Sequence, residues 1–169
     1  MSGYARSKVN LHIANCRELA QLAQAGIAEN ALTSSFCLQF ELGLGFYVLE
    51  ILQVAGKKGV RPWPLSKESL NSLASQFDSP DLNELSEMSA DGDSWLWRML
   101  RRLEILRQVN SGRALKGEIF QSDLEAPASA LIASSGNYSE PGFDLSLMLK
   151  DLEGFESLVN RQRLGHEEY

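Results

Sequence analysis

Two histidines, His12 and His166, and two cysteines, Cys16 and Cys37, are the residues from which metal or nucleophile chemistry would start. His12 and Cys16 stand four apart, so a helix carries both on one face. Two ligands do not make a site, because a structural zinc takes four and a catalytic one three. A carboxylate-bridged di-iron bundle needs glutamate three residues before histidine on facing helices, and here those positions hold Val9 and Arg163. Cys16 and Cys37 sit in apolar surroundings without Cys-x-x-Cys spacing and read as buried thiols of a reducing compartment. Gly43-x-Gly45 is followed by no third glycine or lysine, so it is no phosphate loop. Ser134-Ser-Gly136 lacks the spacing of a nucleophile elbow. No metal site and no cofactor is expected.

Charge is distributed more tellingly. Residues 78–93 carry Asp78, Asp81, Glu84, Glu87, Asp91 and Asp93 without a base, whereas residues 94–116 carry Arg98, Arg101, Arg102, Arg107, Arg113 and Lys116 against Glu104, giving -6 followed by +5. The plain expectation is that these neighbouring segments neutralise one another on a solvated surface, each ion pair being worth ~0 to 1 kcal/mol. A sharper expectation comes from helical geometry. At about 100° per residue, Leu96, Met99, Leu100, Leu103 and Leu106 gather on one side, and Arg98, Arg101 and Arg102 fall opposite, with Ile105 among them and Trp97 at the edge. Guanidinium groups mixed with an indole and an aliphatic side chain suit a partner surface, because arginine and tryptophan concentrate binding energy. The alternative is a second layer of this protein, such as residues 111–142, folded over that face. A net charge of -6 opposes nonspecific attraction to a polyanion, so a protein partner is preferred to nucleic acid.

Near the end of the chain, Arg161-Gln-Arg-Leu-Gly-His166 has an Arg-x4-His spacing that resembles the signature of the HEPN superfamily of helical ribonucleases, with Gln162 at its polar position. The resemblance implies that Arg161 would stabilise phosphate charge and His166 would move a proton as the RNA 2′-hydroxyl attacks. The competing reading is a polar helix end whose cations suit the macrodipole.

These residues must be positioned by helices. Val9, Ile13, Cys16, Ala20, Ala23 and Ile27 advance by four, three, four, three and four, which predicts a helix over 4–28. Residues 36–46 alternate as a half-buried strand would, with Phe36, Leu38, Phe40, Leu42, Leu44 and Phe46 on one face. Yet Phe36, Phe40, Leu44, Tyr47, Ile51 and Ala55 keep a helical step through the point where the alternation stops, so a central helix over 31–55 is predicted. Gly43 and Gly45 let another backbone come close to it. No proline precedes Pro62, and Pro62, Pro64 and Pro80 mark element ends. Ser66 caps a short helix carrying Leu70, Leu73 and Phe77, and Ser79-Pro80 starts about two turns with Leu82, Leu85 and Met88. Asp93 or Ser94 caps a helix over 95–110. Residues 111–142, with four glycines and two prolines, read as a long connection with a short element at 130–133. A last helix over 143–165 is striped by Leu145, Leu149, Leu152, Phe155 and Val159.

The prediction is therefore an all-α, up-and-down bundle of three long helices, one or two short ones and a 111–142 connection, forming a single domain over 1–169. The chain has 169 residues, of which 44% are apolar and 22% charged. That is enough to bury a core without disulfides or metal. Its N-terminus has no apolar signal-peptide core. The apolar stretch 42–55 is interrupted by Glu50 and Gln53. It is too short to cross a membrane core of ~30 Å, so a cytoplasmic protein is expected. Three stretches, Tyr4-Ala-Arg-Ser-Lys-Val-Asn-Leu-His12, Ser94-Trp-Leu-Trp-Arg-Met-Leu-Arg-Arg102 and Leu158-Val-Asn-Arg-Gln-Arg163, resemble a family of small helical proteins from gamma-proteobacteria, including pseudomonads. That resemblance implies a bundle and a bacterial cytoplasmic origin, with no catalytic residue to carry over. The functional expectation is a non-enzymatic protein acting through a protein partner or self-association, with Trp97, Arg98, Arg101, Arg102 and Ile105 as the surface. Its rivals are a metal-independent ribonuclease using Arg161 and His166, or an RNA-binding bundle using the basic helix 94–113.

Overall fold

The computed structural model describes residues 2–26, 29–57, 59–116 and 143–167. They form six helices with no strand among them: α1 (Ser2–Gln24), α2 (Glu29–Val54), α3 (Lys67–Gln76), α4 (Pro80–Ala90), α5 (Trp95–Lys116) and α6 (Leu145–Glu167). Four have 22 residues or more and two have 10 and 11, where the sequence predicts three long and one or two short. The difference lies in α5, which runs on through residues 111–116 of the predicted connection. One mid-helix glycine costs only about 1 kcal/mol relative to alanine. Beyond Gly112, the residues Arg113, Ala114, Leu115 and Lys116 are good helix formers. Residues 117–142, including the short element predicted at 130–133, lie outside the described residues.

Side-chain and backbone caps set several of the other boundaries, whereas α4 starts at Pro80 with no side-chain hydrogen bond from Ser79. α2 ends in a Schellman motif. Gly56 there has φ 72°, with Lys57 N–H on Leu52 O at 2.8 Å and Gly56 N–H on Gln53 O at 3.0 Å. Ser66 and Ser69 exchange hydrogen bonds in a capping box at the start of α3. The Ser94 hydroxyl accepts from Trp97 N–H at 3.0 Å and starts α5, the role of an N-cap oxygen. Asp144 does the same for Leu147 at 2.9 Å, which is why α6 begins at 145 rather than 143.

The helical period prevails in residues 36–46. Phe36, Phe40, Leu44, Tyr47 and Ile51 are buried, whereas the alternating partners Leu38 and Leu42 are exposed. α2 packs against α1, α4, α5 and α6 and is the centre of the fold, though its outer side is open to solvent. α1 and α2 are antiparallel, since Cys16 meets Phe36, Asn15 meets Gln39, His12 lies against Gly43 and Tyr4 meets Phe46. Gly43 lets α1 approach closely, and a Cβ at Gly45 would overlap the indole of Trp63, so this glycine seats a side chain rather than a backbone. Phe40, Trp95, Tyr47 and Phe155 meet at the middle, with Phe40–Phe155 ring centroids 5.1 Å apart, within the usual range for aromatic pairs. Buried apolar residues from all six helices form one contiguous core.

Candidate functional site

The basic side of α5 differs from the sequence expectation at its most distinctive residue. Arg102 is not on a partner-facing surface: its side chain is fully buried, as is that of Asp151 on α6, and Nη1 donates to Asp151 Oδ2 at 2.5 Å. Arg98 donates to the other oxygen of the same carboxylate through Nε at 3.0 Å and Nη2 at 2.6 Å, and its Nη1 reaches Asp93 O at 2.6 Å. The physical reason lies on α6, where Asp151 stands between Met148, Leu152 and Phe155 on the buried face. An ionised carboxylate there requires a cation. On the α5 wheel Arg102 flanks the core beside Trp95 and Leu106 rather than opposing it, so its guanidinium can enter. Trp97, Arg101 and Ile105 remain half-buried on the outer side, with Arg101 paired to Glu104 at 2.6 Å. The five residues expected to form one surface are thus divided between an interior ion triad and an outer strip.

Several charges of the two blocks are engaged by other helices. Arg107 pairs with Glu41 of α2 and donates to Leu65 O at 2.9 Å, while Glu41 accepts from Leu65 N–H at 3.3 Å, so this arginine holds Leu65 between α2 and α5. Arg98, Arg102 and Arg107, three of the cations behind the RNA-binding expectation for 94–113, are engaged within the protein.

The acidic helix α4 instead serves the C-terminal motif. Glu84 binds Arg161 and accepts from Gln162 Nε2 at 2.8 Å, and Asp81 meets His166 Nε2 at 2.7 Å. The structure therefore brings Arg161 and His166 to one α4–α6 seam. Gln162, the polar spacer of the motif, is buried, and its amide oxygen accepts from the Tyr47 hydroxyl. Burial raises the Glu84 pKa, but the hydrogen bonds from Arg161 and Gln162 and the charge of Arg161 outweigh it and hold the carboxyl below its usual range. Burial, with Asp81 and Glu50 nearby, pushes the Tyr47 phenol far up, so it is a neutral donor. Arg163 bridges Glu50, at 2.9 and 2.7 Å, and Asn10 Oδ1 at 3.0 Å, tying α6 to α2 and α1. A groove of about 200 Å³ between α1 and α6 is bounded by this bridge and by the Arg17–Glu156 pair.

Both thiols are buried and free, as expected. Burial pushes Cys16 far up, and pushes Cys37 up to about 12 against the lowering effect of Arg102. Neither is a nucleophile near neutral pH, because the thiolate is the reactive form. His12 Nδ1 lies 2.7 Å from Gln39 Oε1, and its ring stacks on Phe46 at 5.5 Å. Among the described residues no group of three or more His, Cys, Asp or Glu side chains is placed to hold a metal ion. The segment Ala31–Val54 has the length and composition to cross a membrane, longer than the 42–55 stretch, and 61% of its apolar window is buried inside the protein.

No protein-family model matches the chain, and no curated protein or solved structure matches it.

Proposed function

We propose that this chain is a non-enzymatic helical protein of the bacterial cytoplasm, an up-and-down bundle forming one domain, that works by associating with another polypeptide. The observation that supports this reading is the placement of large apolar side chains outside the core. Tyr4, Leu11 and Leu22 on α1 and Leu38 and Leu42 on α2 are all exposed on one helical hairpin. Apolar side chains gathered in this way on a single supersecondary unit mark an interaction surface. The outer strip of α5, Trp97, Arg101 and Ile105, is a second and smaller surface.

The experiment is affinity capture from native lysate with the wild-type chain, with Leu11→Glu and with Trp97→Ala. Loss of one specific polypeptide with either variant supports the reading. Capture that is identical for all three overturns it, and recovery of salt-sensitive RNA moves the function to nucleic acid.

A metal-independent ribonuclease is the second reading, favoured by one observation: α4 holds Arg161 and His166 on the same seam, with Asp81 as the orienting carboxylate of the histidine. Against it, Glu84 neutralises the arginine that would have to meet phosphate.

A further inference from the structure

We propose that the outer side of α1 is a homodimer seam that joins two copies of this chain antiparallel, helix α1 against helix α1. The proposal rests on the association reading above and names its partner. Val9, Ile13, Cys16, Ala20 and Ala23 advance by four, three, four and three along α1 and are buried in the fold, so one heptad seam is already occupied. A second row, Tyr4, Lys8, Leu11, Asn15, Glu18 and Leu22, keeps the same rhythm of four, three, four, three and four on the other side. This row faces outward: Tyr4 is 63% exposed, Leu11 46% and Leu22 41%, and Glu18 is exposed as well. Lys8 and Asn15 are half-buried and Asn15 donates to Gln39 of α2, so the chain itself fills this second seam only in part and leaves Tyr4, Leu11, Glu18 and Leu22 as a seat for a further helix.

The order of charges selects the occupant. In an antiparallel pair centred on residue 13, Tyr4 meets Leu22 of the second copy, Lys8 meets its Glu18, and Leu11 meets its Asn15. Each layer then recurs by symmetry, as an isologous twofold contact requires. Parallel pairing would set Lys8 against Lys8 and Glu18 against Glu18, and polar residues at such positions fix orientation at some expense of stability. The Lys8 ammonium already lies on this side of the helix, over the Tyr4 ring at 5.6 Å. The six layers span about 27 Å at a helical rise of about 1.5 Å per residue. Where the row is polar, α2 adds apolar area. Gly43 lies against His12 and Gln39 accepts from Asn15, so the exposed Leu42 and Leu38 stand level with the 11–15 stretch.

Sedimentation equilibrium of the full chain at micromolar concentration is expected to give the mass of two chains. Leu11→Glu, at a position exposed enough to leave folding intact, is expected to raise the dissociation constant about 30-fold, the loss of a hot-spot side chain. Lys8→Glu and Glu18→Lys are each expected to weaken the dimer, and the double variant to restore it. A single-chain mass at every concentration overturns the proposal, as does a dimer that none of these substitutions alters. If the chain is monomeric yet captures a polypeptide that Leu11→Glu loses, the homodimer alone falls. If it is monomeric and no substitution on the hairpin or on α5 changes capture, the association reading falls with it.

Discussion

Asp151→Asn keeps the size of the side chain and removes its charge at the point where α5 and α6 are tied together. In the native protein its carboxylate takes Arg102 Nη1 at 2.5 Å on one oxygen and Arg98 Nε and Nη2 at 3.0 and 2.6 Å on the other. The Arg102 and Asp151 side chains both have 0% exposure, so after substitution the guanidinium loses its anion without gaining water. Removing one partner of such a pair costs ~3–5 kcal/mol, because the remaining charge stays buried and uncompensated. Arg98 adds little, since at 24% exposure it keeps Asp93 O and reaches solvent. For a chain of this length each kcal/mol moves the melting temperature by ~2–4 °C, so a fall of roughly 6–20 °C is expected. Replacing both charges, Asp151→Leu with Arg102→Met, is expected to recover most of that loss, because an apolar pair of similar volume carries no desolvation penalty. Thermal and urea melts followed by circular dichroism read both variants. An Asp151→Asn protein within about 0.5 kcal/mol of wild type, or a double variant no more stable than the single one, would refute the reasoning.

Leu44→Asp places a charge in the fully buried stripe of α2 and is expected to unfold the domain or make it insoluble; a folded variant with an unchanged melt would remove α2 from the core. At Gly154 a new Cβ would lie 2.6 Å from Trp95 Cδ1, so the indole must shift. Gly154→Ala is expected to destabilise by ~1–3 kcal/mol, the cost of overpacking, and an unchanged melt contradicts that packing. Glu84 has a carboxyl depressed in the fold. Its contribution is therefore complete above the unfolded value of ~4.3 and fades as pH falls through the folded one. Glu84→Gln is expected to flatten the acid limb of the stability curve, and identical limbs for both proteins would count against the Arg161–Glu84–Gln162 linkage. Arg161→Ala breaks an ion pair with Glu84 and His166→Ala removes the contact with Asp81, each from a side chain about half exposed or more. Each is expected to cost no more than about 1 kcal/mol. If the purified protein cleaves single-stranded RNA and either substitution abolishes cleavage at equal stability, the ribonuclease reading replaces association.

The helices are legible where local rules act alone. Ser66 announces α3 and the Asp93-Ser94 pair announces α5 by capping chemistry, Ser94 being the cap in the fold, and the step from Phe36 through Ile51 outlasts the alternation that imitates a strand. Side-chain partners are less legible, because Arg102 and Asp151 are 49 residues apart and nothing local links them. The available signal is Asp151 itself, a lone carboxylate within the stripe of Met148, Leu152 and Phe155, which demands a buried cation. The opposed charge blocks are only partly legible for the same reason: proximity in sequence suggests mutual neutralisation, and helix packing gives Asp81 and Glu84 to α6 and Arg107 to α2. On α1 the inner and outer rows share one heptad rhythm, and burial distinguishes them.

Association through the outer row of α1 is tested most directly by cross-linking engineered thiols. Tyr4→Cys protein mixed with Leu22→Cys protein under mild oxidation is expected to form the mixed disulfide, because antiparallel pairing sets these positions against each other, while Cys16 and Cys37 remain protected by burial. Tyr4→Cys protein that cross-links only to itself, or a mixture that forms no cross-link at all, would contradict the antiparallel seam.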